Sequence, residues 1–163
     1  MKKTLLASLG LTLMLSTTAG IAVAEESNPT SNKQLNTTSV LEYDEQEPND
    51  TNEQANYYFI GDNVMGSLGE EKQGKWENSD IFKFDTFEYS NNVHFTVQGS
   101  KYPDSYLELT LYDSNGKFIK RSGIGEYFLD SAVEKRKEYY LGVTAIGFYH
   151  DRKPFYYKIS SSF

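Results

Sequence analysis

From Asp80 onward the chain alternates apolar and polar residues with a period of two. Phe82 and Phe84 interleave with Ile81 and Lys83, and Val93, Phe95 and Val97 interleave with Asn92, His94, Thr96 and Gln98. A strand sends successive side chains to opposite faces, so this spacing predicts half-buried β-strands and not helices. The alternation recurs in Leu107, Leu109 and Leu111 against Tyr106, Glu108 and Thr110, then in Tyr139, Leu141 and Val143, and again in Phe155, Tyr157 and Ile159. Ser114, Asn115 and Gly116 predict a tight hairpin into residues 117–120, because Asn-Gly tolerates the positive φ that such a turn demands. Shorter strands are expected at 57–60, 64–68 and 126–130, and residues 51–56 are the one stretch with helical character. About eight or nine strands, with turn signals every ten or so residues, predict an all-β fold, an antiparallel β-sandwich.

Lys2 and Lys3 precede an apolar run from Leu5 to Leu15, and Ala22, Val23 and Ala24 follow it. Charge, hydrophobe and small-residue site in that order mark residues 1–24 as a secretory signal peptide, so the protein is expected to be secreted and extracellular. The alternative is an uncleaved anchor, since residues 5–24 carry no charge and approach the ~20 residues that span a bilayer. Ser16, Thr17, Thr18 and Gly20 weaken that run, and the Ala-x-Ala site favours cleavage, after which no membrane association is expected. Residues 25–44, rich in Ser, Asn, Thr and Glu, hold too little apolar surface to offset the entropy of ordering and read as a flexible polar leader. The sandwich is then expected over residues 45–163.

With 163 residues the chain has room for one domain of ordinary size, and an aromatic content of 15% excludes a wholly disordered one. There are 16 Lys and Arg against 23 Asp and Glu; loss of two lysines with the signal takes the formal charge from −7 to −9. That sign is wrong for neutralising nucleic-acid phosphates or an anionic membrane, and it points to cations or neutral surfaces as partners. The absence of cysteine excludes disulfides, Cys-based zinc sites and a thiol nucleophile.

The most chemical stretch is Glu45, Gln46, Glu47, Pro48, Asn49, Asp50, a concentration of the oxygen ligands that hard cations prefer. Calcium takes 6 to 8 oxygens, more than one short segment readily supplies, so a second contributor is needed. Glu77, Asn78 and Asp80 are the best candidates. Asp80 shares the parity of Phe82 and Phe84 and therefore opens its strand on the core side, where a carboxylate is costly unless a cation or donor compensates. The competing reading is a solvated acidic run at residues 45–50, with Asp80 at a strand end in water.

EPNDTNEQAN, then GSL, then SDIFKF, and finally YYLGV followed by FYYKIS resemble the bacterial pre-peptidase C-terminal domain family, over residues 45–163. That family includes the collagen-binding domains of clostridial collagenases. The resemblance implies a jelly-roll-like β-sandwich of the kind appended to secreted peptidases, with one or two calcium ions held at the N-terminal linker. It assigns Glu45, Glu47, Asn49 and Asp50 to the linker ligands, Ser67 to the following turn, and Glu77 and Asp80 to the acidic pair before the core strand. Glu77 stands where calcium-binding members commonly have Asp. No peptidase accompanies the module in this sequence, and Thr144 and Ile146 occupy positions where collagen binders carry tyrosines, which argues against collagen as partner. Tyr149 and Tyr156 are the candidate partner contacts, Tyr156 because its parity opposes that of Phe155 and Tyr157.

Only His94 and His150 can act as neutral-pH bases, and neither lies in a catalytic motif. There is no G-x-S-x-G elbow, no H-E-x-x-H helix and no phosphate-cradling glycine loop. The sequence therefore favours a secreted, calcium-binding, non-catalytic module for an extracellular protein or polymer. Two alternatives stand beside it: a free-standing chaperone or inhibitor of a secreted peptidase, and a small carbohydrate-active or esterase-like enzyme using carboxylates or a serine.

Overall fold

The structure is a computed structural model and describes residues 39–72, 74–100, 105–147 and 154–163. The expected signal peptide, most of the expected leader, Tyr149 and His150 lie outside the described residues. The strands are β1 (Glu42–Asp44), β2 (Asn56–Tyr57), β3 (Asn63–Leu68), β4 (Glu71–Lys72), β5 (Lys75–Trp76), β6 (Ser79–Asp85), β7 (Asn92–Gly99), β8 (Tyr106–Asp113), β9 (Phe118–Arg121), β10 (Phe128–Ala132), β11 (Glu138–Ile146) and β12 (Phe155–Ser162). They form two five-stranded sheets, ordered β1-β3-β12-β7-β10 and β2-β6-β11-β8-β9, with β4 and β5 as a separate hairpin. The fold is an all-β sandwich.

Pairing is antiparallel throughout both sheets except at one edge of each, where β1 runs parallel to β3 and β2 runs parallel to β6. β1, β4 and β5 take the strand total above the eight or nine expected, and the strand expected at 57–60 is cut to Asn56–Tyr57 as β2. At three residues and two, these strands are too short for an alternation to register. β1 also draws residues 42–44 out of the expected leader, because half-buried Tyr43 packs against the core. Residues 51–56 form no helix: a single turn, with the Gln54 N–H donating to the Thr51 carbonyl at 3.0 Å, precedes β2. Ala55 is the only apolar residue there, so a helix would have no face to bury.

The inward positions match the sequence parity. Phe82 and Phe84 from β6, Phe95 from β7, Leu107, Leu109 and Leu111 from β8, and Leu141 and Val143 from β11 are fully buried between the sheets. Phe84 stacks on Tyr139 at 5.7 Å and meets Phe95 edge-on at 5.3 Å. Burial of each such side chain contributes roughly 1.5–3 kcal/mol. The β8–β9 hairpin closes as its sequence demands: Asp113 Oδ1 accepts from the N–H groups of Asn115 and Lys117, each at 2.9 Å, and Gly116 adopts a φ of 75°. On the flank where β9 and β10 leave both sheets open, Lys120 Nζ donates to the Asp130 carbonyl at 2.6 Å. Among the described residues no helix is long and apolar enough to cross a membrane.

Candidate metal centre

The candidate ligands arrive on two stretches that backbone bonds hold together. The Ile81 N–H donates to the Asn49 carbonyl at 2.8 Å, so the loop after β1 lies beside the start of β6. The Glu45 N–H donates to the Met65 carbonyl at 2.8 Å, and the Glu77 N–H donates to the Glu70 carbonyl at 3.0 Å. The Glu47–Pro48 peptide is cis. At the far end of the loop the Asn56 side chain closes the neck: Gln46 N–H donates to Asn56 Oδ1 at 2.6 Å, and Asn56 Nδ2 donates to the Gln46 carbonyl at 2.7 Å.

Glu47, Asp50, Glu77 and Asp80 are brought together, each offering a carboxylate oxygen within 4.8 Å of the others. Calcium holds its oxygens at 2.3–2.6 Å, so ligands on opposite sides of one ion stand about 5 Å apart. The group has the span of a single coordination sphere, and it can hold a metal ion. Glu47 and Asp50 are exposed on the loop, whereas Glu77 is 5% and Asp80 0% exposed. Ionised together, four carboxylates in that space would repel one another, and at the two buried members water screens little of the repulsion.

Asn49, also 0% exposed, occupies the centre of the loop. With its amide nitrogen turned toward the acids it donates to Asp80 Oδ1 at 3.0 Å and to Glu47 Oε2 at 3.1 Å. With the amide reversed, Oδ1 takes that same place among the carboxylate oxygens. Only a cation makes such a gathering of acceptors favourable, so the side chain can serve the ion-free site as donor and the loaded site as ligand.

Tyr157 forms the floor. Its hydroxyl lies 2.5 Å from Asp80 Oδ2 and 2.8 Å from Glu45 Oε2. β12 places it opposite Gly66 on β3, and a Cβ at Gly66 would collide with the Tyr157 ring end and with Glu45 Oε2. Glycine at that strand position is what allows the phenol in. Burial pushes the Asp80 carboxyl up to about 10; the Glu45 charge adds to the rise, the hydrogen bond from Tyr157 opposes it, and the Glu77 charge adds further. The Tyr157 phenol is likewise raised, by burial first and then by the charges of Asp80 and Glu45.

Of the remaining expected ligands, Glu45 lies beside the group, with Oε1 accepting from the Ser67 N–H at 2.7 Å and Oε2 facing Tyr157. Ser67 thus meets the site through its backbone. Asn78 is exposed, and its carbonyl accepts the Ala145 N–H. Tyr156 is 62% exposed on the outer face of its sheet. His94 stands on that outer face too, with Nδ1 2.5 Å from Asp130 Oδ1. Tyr157 and Gly66 are the site residues that sequence reasoning missed. Parity assigns Tyr157 to the core, and only the register of β12 on β3 reveals that its hydroxyl meets the acids.

No family model matches the sequence, and no curated protein matches it. Among solved structures the chain is similar to the pre-peptidase C-terminal domain of a collagenase from Bacillus anthracis. The match has a TM-score of 0.48 and 16% identity, covering 72% of this chain and 100% of that one. It is also similar to PliG of Aeromonas hydrophila, a periplasmic lysozyme inhibitor of g-type lysozyme. There the TM-score is 0.41 and the identity 11%, covering 76% of this chain and 96% of that one.

Proposed function

We propose that this chain is a secreted, non-catalytic β-sandwich module of the pre-peptidase C-terminal kind that takes up one or two calcium ions and binds an extracellular protein or polymer. The observation that carries the calcium reading is the convergence of Glu47 and Asp50 with Glu77 and Asp80. All four donors are carboxylate oxygens, and the reserve donors Asn49 and Glu45 beside them also supply oxygen, which is the ligand chemistry of a hard cation. Filling 6 to 8 positions from these groups and water requires no nitrogen or sulfur ligand.

The ion acts structurally. It bridges the first ordered segment to the start of β6 and cancels a repulsion that the fold otherwise carries, adding stability as RT ln(1 + [L]/Kd). Tyr156 and Tyr149 are the side chains proposed to meet the partner. Differential scanning calorimetry of the purified protein tests the reading: calcium raises the melting temperature, and Asp80→Ala removes most of the increase. A melting temperature indifferent to calcium rejects it.

A further inference from the structure

Residues 50–55 leave the second sheet beside Ile81 and return to it at Asn56, whose partner on β6 is Phe82, the next residue along. The segment between these adjacent positions reaches a long way. Gly116, at the tip of the β8–β9 hairpin, is so near that an added Cβ would stand 2.7 Å from Asn52 Nδ2. The phenol of Tyr140 on β11 is raised by burial, by its hydrogen bond to Glu138 and by the charges of Glu138 and Glu53. Between β2 and that hairpin tip lie β6, β11 and β8, so the segment crosses the outer face of the sheet. Beneath it Ile81, Gly142 and Thr110 form one cross-strand row. They share the outward parity of Lys83, Tyr140 and Glu108, yet Ile81 is 8% and Thr110 5% exposed. Outward-facing residues that are this dry have a cover, and glycine at position 142 leaves room for it.

Resting on the calcium reading above, we infer that residues 50–55 are a strap whose closure over this face is coupled to the cation. The strap has no apolar anchor of its own; apart from Ala55 its residues are Asp, Thr, Asn, Glu and Gln. Its neck is clamped by the Gln46–Asn56 amide pair, and at the other root the carboxylates add to the single backbone bond from the Ile81 N–H to the Asn49 carbonyl. There Glu47 and Asp50 belong to the loop, while Glu77 and Asp80 belong to the body. A cation between them draws the root down. Its loss leaves like charges that push the root away, and lifting the strap uncovers the row of Ile81, Gly142 and Thr110 beside the Tyr112–Tyr140 pair. By linkage, anything that props the strap open must weaken cation binding by the same factor.

Amide hydrogen exchange of the purified protein, in calcium and in chelator, tests the coupling. Protection of residues 50–56 falls by about tenfold or more on chelation, while the central strands β8 and β11 keep theirs. Gly142→Leu places a side chain beneath the strap without touching a carboxylate, and it weakens calcium affinity by about tenfold in a titration. Gly142→Ala, whose Cβ meets nothing closer than Tyr112 Cε2 at 3.4 Å, binds like the wild type. Calcium binding that leaves exchange at residues 50–56 unchanged, or a folded Gly142→Leu variant of wild-type affinity, overturns the coupling and leaves the metal centre standing. Absence of any calcium binding overturns both. Should Gly142→Leu fail to fold, exchange in the wild-type protein decides alone.

Discussion

The Tyr157 hydroxyl lies 2.5 Å from Asp80 Oδ2, across 77 positions of sequence. The same oxygen is 2.8 Å from Glu45 Oε2, and a phenol has a single proton to give. Two anionic acceptors on one donor leave one contact unfavourable. An Asp80 that keeps its proton resolves this, because only one of the two acceptors is then an anion. The raised Asp80 pKa, caused chiefly by burial, has the same sense.

That proton gives the ion-free protein a pH dependence of definite sign. Asp80 is raised from 3.8 to about 10, so between those values the folded state binds more protons there than the unfolded chain does. Its contribution to stability is complete below the lower value and is lost as pH rises toward the upper one. Urea midpoints in chelator should therefore fall from about pH 6 to about pH 9, and saturating calcium should flatten the slope. A midpoint that climbs over this range in chelator contradicts the assignment.

If calcium binds as proposed, it must displace that proton. Titration calorimetry near neutral pH, repeated in buffers of different ionisation enthalpy, should report release of about one proton per ion, with affinity increasing as pH rises. In Asp80→Asn the release disappears along with most of the affinity.

Tyr157→Phe removes the donor shared by the two acids while keeping the ring that packs against Phe82 at 6.5 Å. The loss should be about 1–3 kcal/mol in chelator, as for other buried polar groups deprived of a partner. Chemical denaturation measures it, and a neutral effect would show that the phenol carries no proton that the acids need.

Gly66→Ala should be as damaging as a change at the acids themselves, although it adds only a methyl group. The new Cβ overlaps Tyr157 and Glu45 Oε2 at once, and overpacking of this kind costs about 1–3 kcal/mol. Pairing it with Tyr157→Phe in a double-mutant cycle should give a non-additive sum.

Tyr156→Ala separates binding from folding. Its side chain is on the outer sheet face, so stability should change by no more than about 0.5 kcal/mol, whereas binding of the proposed extracellular protein or polymer through this face should weaken.

Strand alternation made most of the fold legible, since a period of two over six to nine residues has few other readings, and the same parity points Asp80 inward. β1 was not legible, and of the strand expected at 57–60 only the short β2 forms. Their parallel pairing depends on where residues 45–55 go, and nothing local in a three-residue or two-residue strand encodes that. The acids were visible as residue types, but their convergence rests on one backbone bond, Ile81 N–H to the Asn49 carbonyl. Tyr157 hid in plain parity. An inward tyrosine looks like core until Gly66 is known to sit opposite, and strand register is a tertiary property.

The stretch that supplies the carboxylates is also stitched into both layers, since Glu42–Asp44 zips to β3 in one and Asn56–Tyr57 zips to β6 in the other. A filled acidic corner would then act as a rivet through the two plies. Tension entering the module ahead of Glu42 would load strand ladders in shear at that corner and spread over both plies, leaving the aromatic interior unstressed.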